Sequence, residues 1–259
     1  MPPEAVAYVE VAPRPEAAAY LTEICGVSYE GVEAPALLLP QGTATFVVSS
    51  SKDARRLRIE VKGPQTRAAQ MPRARLRWAL GVRLRAGRGR ELLGVPLDEL
   101  TDRTVAVDAL WGKDGERLGE RMMGASRMKD RLRVLEEMLV ARLGLVRTTP
   151  STSALVDAAT ARLERGACER VSELADHLGI SPRQLRRQFL DHVGMTPKAY
   201  ASLLRFRRAT DALEAAGFSN FADLAARSGY YDQAHMIADF RERTGTTPRT
   251  FRALVNSTE

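Results

Sequence analysis

Two stretches of this chain are copies of one pattern, and that duplication limits the possible folds more than any other feature. "VSELADHLGISPRQLRRQFLDHVGMTPKAY" (171–200) aligns with "FADLAARSGYYDQAHMIADFRERTGTTPRTF" (221–251). Leu174-Ala175 matches Leu224-Ala225, and Gly179 matches Gly229. With one residue inserted in the second copy, Phe189 matches Phe240, Gly194 matches Gly245, Thr196-Pro197 matches Thr247-Pro248 and Tyr200 matches Phe251. Two copies about fifty residues apart describe one duplicated helical unit and not a solenoid array.

Each copy reads as helix, tight turn, helix. In the first, Ser172 is expected to cap a short helix that buries Val171, Leu174, Ala175 and Leu178. Gly179 stands where a left-handed residue ends that helix. Ser181 then caps a second helix with Pro182 at its first position, where a missing N–H costs nothing. Leu185 and Phe189 are four apart and face inward, while Arg183, Arg186 and Arg187 share the outward face beside Gln184. A helix N-terminus already carries partial positive charge, so arginines there are unfavourable unless an anion is expected. The arrangement is the helix-turn-helix plan, whose second helix enters the DNA major groove N-terminal end first. Arginine's planar fork fits guanine O6/N7 or a phosphate.

The second copy places Tyr231-Asp232 ahead of a helix with Gln233, Ala234, His235 and Ala238 facing outward. That face is far less cationic, so base readout there is expected to be weaker. His235 is either a contact to phosphate or guanine or a partly buried structural histidine. His177 and His192 are expected on solvated helix faces, and the three scattered histidines suggest no metal site.

Charge sharpens the reading. The chain carries a formal charge of +7, which suggests a polyanionic partner. Residues 151–259 hold 15 Lys/Arg against 13 Asp/Glu, whereas residues 51–100 hold 13 against 5. DNA binding by the C-terminal part would therefore rest on local arginine placement and not on bulk charge. No apolar run approaches the roughly 18–20 residues that cross a bilayer. The N-terminus lacks a basic region followed by an apolar one, so no signal peptide and a cytoplasmic location are expected. Cys25 and Cys168 are too isolated for a disulfide framework or zinc site, and read as reduced core residues.

Ahead of the repeat, "LGLVRTTPSTS" (143–153) interrupts helical periodicity and marks a boundary, dividing the chain into 1–147 and 148–259. The first part is β-rich. "ALLLPQGTATFVVSS" sets two strand-like runs around a Gln-Gly turn, and "RARLRWALGVRLR" (73–85) alternates apolar residues with arginines as one long strand. From Arg67 to Arg90 there are eight arginines and no acid. That cationic face is a solvated surface, a site for an anionic effector, an acidic partner surface or an extra set of DNA phosphate contacts. Leu118, Met122, Ala125, Met128, Leu132, Leu135, Leu139 and Leu143 then recur at helical steps. They suggest two helices broken near Gly124, with Ser126 as a cap, packed on their own domain or forming a subunit seam.

The paired units resemble the AraC family of transcription regulators over roughly residues 155–255, most specifically in "GYYDQAHMIADFRERTGTTPRTFR". The resemblance implies two helix-turn-helix units joined by a helix near 197–216, reading successive major grooves roughly 34 Å apart. It places Arg183, Arg186, Arg187, Gln233, Ala234, His235 and Ala238 on DNA-contacting positions, and Ser181 and Gln184 at the same helix start are expected DNA-binding residues as well. Many relatives carry arginine where Ala238 stands, so the second unit is expected to anchor phosphates more than to specify bases. "GPQTR" (63–67), "LGVRLRAG" (80–87) and "LLGVPLDELTDRTVAVDALWG" (92–112) look like an uncharacterised sensor-like domain fused to such modules. In the wider family such domains are often small β-barrels that bind an effector or dimerise.

The resulting expectation is an α+β chain. It comprises a β-rich, barrel-like N-terminal domain, a helical linker and an all-α C-terminal domain with two helix-turn-helix units. Its expected partner is double-stranded DNA, with RNA polymerase, an unidentified small effector and a second copy of the chain left open. No cofactor, membrane contact or enzymatic activity is expected. The alternatives are an architectural DNA binder without sequence preference and a DNA-repair enzyme fusion. The second would need a reactive cysteine in a context that "TEICGVS" around Cys25 lacks.

Overall fold

The structure, a computed structural model, describes residues 8–29, 36–53, 56–71, 73, 75–144, 150–166, 170–215 and 218–256. Its first part is built on β1 (Tyr8–Val11), β2 (Leu21–Ser28), β3 (Ala36–Leu38), β4 (Thr45–Ser51), β5 (Arg58–Lys62), β6 (Ala69–Met71), β7 (Leu76–Leu84) and β8 (Thr104–Ala106). Six strands form an antiparallel sheet in the order β1-β2-β7-β4-β5-β8, and β3 pairs with β6 in a separate two-stranded piece. The long alternating strand expected from the sequence is β7, and it lies inside the sheet between β2 and β4. Register places Ile24 and Phe46 opposite Val82, and Val48 opposite Leu80. These alternate residues therefore point to one face, which a one-residue slip would turn to solvent.

That face is covered by α1 (Gly89–Leu93), a 3-10 turn (Leu97–Glu99), α2 (Val107–Trp111), α3 (Lys113–Gly124) and α4 (Met128–Leu143). Leu118, Met122, Leu132, Leu135 and Leu139 join the sheet residues in one buried cluster. Each fully buried side chain of this kind contributes about 1.5–3 kcal/mol. These buried residues of the helical stripe thus pack on their own sheet. On the opposite face Arg83 pairs with Glu23 at 2.7 Å, so part of the arginine stripe has an acid partner on the neighbouring strand.

Several local expectations need correction. The sheet is open, with β1 and β8 as its edges, because the helices cover its apolar face without requiring it to close. The two runs around Gln41-Gly42 do not pair with each other: β3 pairs with β6, and β4 with β5 and β7. Ser126 caps nothing, since α4 starts from Arg127 without a side-chain cap. Cys25 is half-buried, whereas Cys168 lies outside the described residues. Burial pushes the Cys25 thiol up to about 11, with Glu23 reinforcing the shift.

The second part is helical: α5 (Pro150–Glu164), α6 (Val171–His177), α7 (Pro182–Val193), α8 (Pro197–Glu214), α9 (Phe221–Ser228), α10 (Gln233–Thr244) and α11 (Pro248–Asn256). The Pro150–Ser153 portion of the expected boundary segment belongs to α5, and the break between 147 and 148 lies outside the described residues. A second buried cluster runs through all seven helices, including Val156, Leu174, Phe189, Phe206, Leu224, Phe240 and Phe251. Phe240 contacts Phe206 with ring centroids 4.8 Å apart and Phe251 at 5.9 Å, so the linking helix α8 is packed into the second unit. Ala86, at the end of the β7 segment, also belongs to this cluster.

Candidate nucleic-acid interface

The repeated sequence is a repeated geometry. Leu174 and Leu224, Ala175 and Ala225, and Phe189 and Phe240 are all essentially inaccessible. Gly179 and Gly229 have φ of +66° and +86°, a conformation that costs other L-residues heavily. The Ile180 N–H donates to the Ala175 carbonyl, just as the Tyr230 N–H donates to the Ala225 carbonyl. Ile180 is thus the counterpart of Tyr230, and the inserted residue of the second copy is Tyr231. Its side chain is 94% exposed at the head of α10, a position the sequence alignment alone does not single out.

Capping fixes where each outward helix starts. The Ser181 Oγ accepts from the Gln184 N–H at 3.2 Å, and the Asp232 carboxylate accepts from the His235 N–H at 2.7 Å. Each bond satisfies an N–H that the helix itself leaves free. Ser172 plays no such role, because α6 starts one residue earlier, after Arg170, and has no side-chain cap.

The predicted contact residues fall into two exposed groups. On α7, Ser181, Arg183, Gln184, Arg186 and Arg187 are exposed above buried Leu185 and Phe189. None of the three arginines forms an ion pair among the described residues, and the first turn of α7 contains no acid. On α10, Gln233, Ala234, His235 and Ala238 are exposed above buried Met236 and Phe240. His235 is therefore no core histidine, although its ring meets the Tyr230 ring edge-on at 5.3 Å. Among the described residues no group of three or more His, Cys, Asp or Glu side chains could hold a metal ion. Nor is any helix among them long and apolar enough to cross a membrane.

The sequence did not point to what stands beside α7. A groove of about 940 Å³ runs along its outward face, and its far wall is Pro96 with the exposed acids Asp98 and Glu99 of the 3-10 turn. The turn is held against the C-terminal end of α7. Thr101 Oγ1 donates to the Gly194 carbonyl at 2.6 Å, and Arg90 of α1 pairs with Asp191. Gly194 has φ +86°, and a Cβ there would come within 2.7 Å of Thr101 Oγ1 and 2.9 Å of the Leu97 carbonyl oxygen. Glycine is required twice over.

His192 also faces this junction and is buried, contrary to its expected solvated position. Burial, followed by the charge of Arg90, holds its pKa below the usual imidazole value.

The second unit has its own anchor. The Tyr230 hydroxyl donates to Asp239 at 2.8 Å, and Asp239 accepts from Arg243 Nε at 2.8 Å. Arg243 continues to the Thr66 carbonyl at 3.1 Å and to Ser202 at 3.0 Å, and its own carbonyl accepts from the Ala68 N–H. Thr66 is fixed in turn by Asp102, whose carboxylate accepts from the Thr66 N–H at 2.7 Å and its hydroxyl at 2.6 Å. The "GPQTR" and "ELTDRT" segments therefore meet at the base of the second unit, a contact between sequence-distant residues that local patterning could not reveal.

Comparison with known proteins matches two separate stretches of the chain. Residues 174–254 match the family model described as a helix-turn-helix domain, and residues 9–106 match a domain of unknown function, DUF6597. The HTH-type transcriptional activator RhaS of Enterobacter sp. (strain 638) is 33% identical over 117 residues, covering 44% of this chain and 42% of the relative. RhaS of Escherichia fergusonii is 32% identical over 120 residues, covering 45% and 43%. The match thus spans less than half the length of these curated relatives.

Among solved structures, an AraC-type regulator from Chromobacterium violaceum shares 24% identity with a TM-score of 0.37, over 40% of this chain and 95% of that one. ToxT from Vibrio cholerae shares 7% identity with a TM-score of 0.42, over 96% of each chain. The repeat, its paired glycines and caps, and the matched residues agree: residues 174–254 form a helix-turn-helix domain of the AraC type.

Proposed function

We propose that this chain is a sequence-specific DNA-binding transcription regulator, with residues 148–259 as the DNA-binding domain and residues 1–147 as a sensory or dimerisation domain. One observation carries the reading. The capped N-terminal half of α7 presents Arg183, Gln184, Arg186 and Arg187 to solvent without carboxylate partners among the described residues, on a helix locked from behind by Leu185 and Phe189. Such a helix start suits a DNA groove, where arginine forks meet guanine edges and the backbone N–H groups favour phosphate. Similarity to the transcriptional activators named above supports the same function.

In this reading Arg183, Arg186 and Arg187 provide base and phosphate contacts, with Gln184 at a base edge and Ser181 at a phosphate. On α10, Gln233 and His235 make fewer base contacts, Ala234 and Ala238 allow close approach, and Tyr231 lies against the sugar-phosphate backbone. RNA polymerase is the downstream partner, a second copy and a small effector are further candidates, and the chromosome's compartment, the cytoplasm, is the site of action. No catalytic role is assigned.

Selection of duplexes from a random pool by the full chain tests the proposal. The expected result is a consensus with two patches about one helical turn apart, the patch under α7 more strongly specified. Recovery of duplexes with no shared sequence would contradict it and favour an architectural binder.

A further inference from the structure

We propose that the cleft between the start of β7 and helices α3 and α4 is a binding site for a small organic phosphate with an apolar body. The cleft encloses about 540 Å³, within the usual range for small-molecule sites. Four cations line it, Lys52, Arg56, Arg77 and Arg131, against the single carboxylate of Asp53. Trp78, Met122 and Met123 supply an apolar wall, and Met123 is 58% exposed at the rim.

Arg131 carries the argument. Its guanidinium lies 4.3 Å from the centre of the Trp78 ring, and its buried Nε has no hydrogen-bond partner. Partial burial pulls its pKa below the usual guanidinium value. Arg142, 4.6 Å over the Trp111 ring, provides an internal comparison. It has Asp114 at 3.7 Å and donates from Nε to the Leu92 carbonyl at 3.1 Å. Arg83, on the same strand as Arg77, likewise has its own acid in Glu23. Neither Arg77 nor Arg131 forms an ion pair among the described residues, although both line the cleft.

Four cations around one cleft against one carboxylate fit a doubly charged tetrahedral anion better than a planar monoanion, because a dianion can engage more than one of them. The apolar wall then takes the body of the ligand. This site opens on the side of the helices and shares no residue with the DNA-facing groove, so the inference stands independently of the proposed regulatory function.

The test is calorimetric titration of the full chain with phenyl phosphate, inorganic phosphate, benzoate and benzyl alcohol, with tryptophan emission followed in parallel. Phenyl phosphate is expected to bind with one site per chain and to change the emission of Trp78. The other three should bind at least about tenfold more weakly. Arg131→Gln and Arg77→Gln should each weaken phenyl phosphate at least about tenfold, whereas Arg227→Gln on α9 should leave it unchanged. Arg77 is exposed, so its variant tests the site even if Arg131→Gln disturbs folding. Three results would each overturn the proposal: no saturable binding, benzoate or inorganic phosphate binding as tightly as phenyl phosphate, or affinity unaltered in both arginine variants.

Discussion

Asp239 serves two partners at once, and its loss should be felt in stability. With its side chain 9% exposed, it holds Arg243 and accepts from the Tyr230 hydroxyl. Removing one member of such a pair leaves a buried charge uncompensated. Asp239→Ala is therefore expected to lower the unfolding free energy by about 3 kcal/mol, and Tyr230→Phe by about 1 kcal/mol, measured by urea denaturation. Burial and the neighbouring Asp239 hold the Tyr230 hydroxyl above the usual phenol range, so it remains a donor throughout that experiment.

His192 makes the same scale visible through pH. Burial and Arg90 depress its folded pKa, with Arg88 adding to the effect and Glu91 and the Gly87 backbone opposing it, while Asp191 lies 3.7 Å from Nε2. The unfolded state therefore binds a proton at a higher pH than the folded state. The stability this contributes is present above about pH 6.5 and is lost as pH falls through the lower folded value. The urea midpoint should fall between pH 7 and mildly acidic conditions, and His192→Gln should flatten that dependence. An equal fall in the variant would assign the effect to other groups.

At the level of elements, the acidic 3-10 turn beside α7 is the feature with the clearest consequence. Asp98 and Glu99 face a groove whose other wall carries Arg183, Arg186 and Arg187. Phosphates entering that groove would meet two carboxylates. Asp98→Asn with Glu99→Gln should tighten binding to specific and scrambled duplexes alike, by about threefold to tenfold at low salt, because this repulsion reads charge and not sequence. Anisotropy titrations on both duplexes would check it, and a gain confined to the specific duplex would contradict it.

Those two acids also mark where sequence reading stops. Ser181, Pro182, Gly179 and the Leu185/Phe189 spacing announce α7 because caps, turns and helical period are local. The strand β7 is legible for the same reason, through its period of two. By contrast, Thr101 bonding Gly194, Arg90 pairing with Asp191 and Arg243 reaching Thr66 join residues 93, 101 and 177 positions apart, and no local pattern encodes them. Local pattern sets His192 on a solvated face because the element that buries it comes from the first half of the chain. Ser172 and Ser126 resemble caps, but the chain enters each helix from an arginine instead.

At the scale of the molecule, the first half does more than precede the helix-turn-helix domain: it touches both of its units. The Leu97–Thr101 turn meets the end of α7, and the Thr66–Ala68 segment meets Arg243 at the end of α10. A change in the first half therefore has two direct contacts through which to alter how α7 and α10 are presented. In the proposed function, α7 reads DNA sequence through its exposed arginines.

The most direct measurement is fluorescence anisotropy across a salt series, comparing a selected duplex with its scrambled form for the native chain and for Arg186→Ala/Arg187→Ala. The native chain should prefer the selected duplex by about 10³ or more at physiological salt. The double variant should lose most of that preference, about 1–3 kcal/mol per arginine, while its residual non-specific binding keeps a shallower salt slope. A double variant that retains the full preference, or a native chain that shows none, would contradict the account.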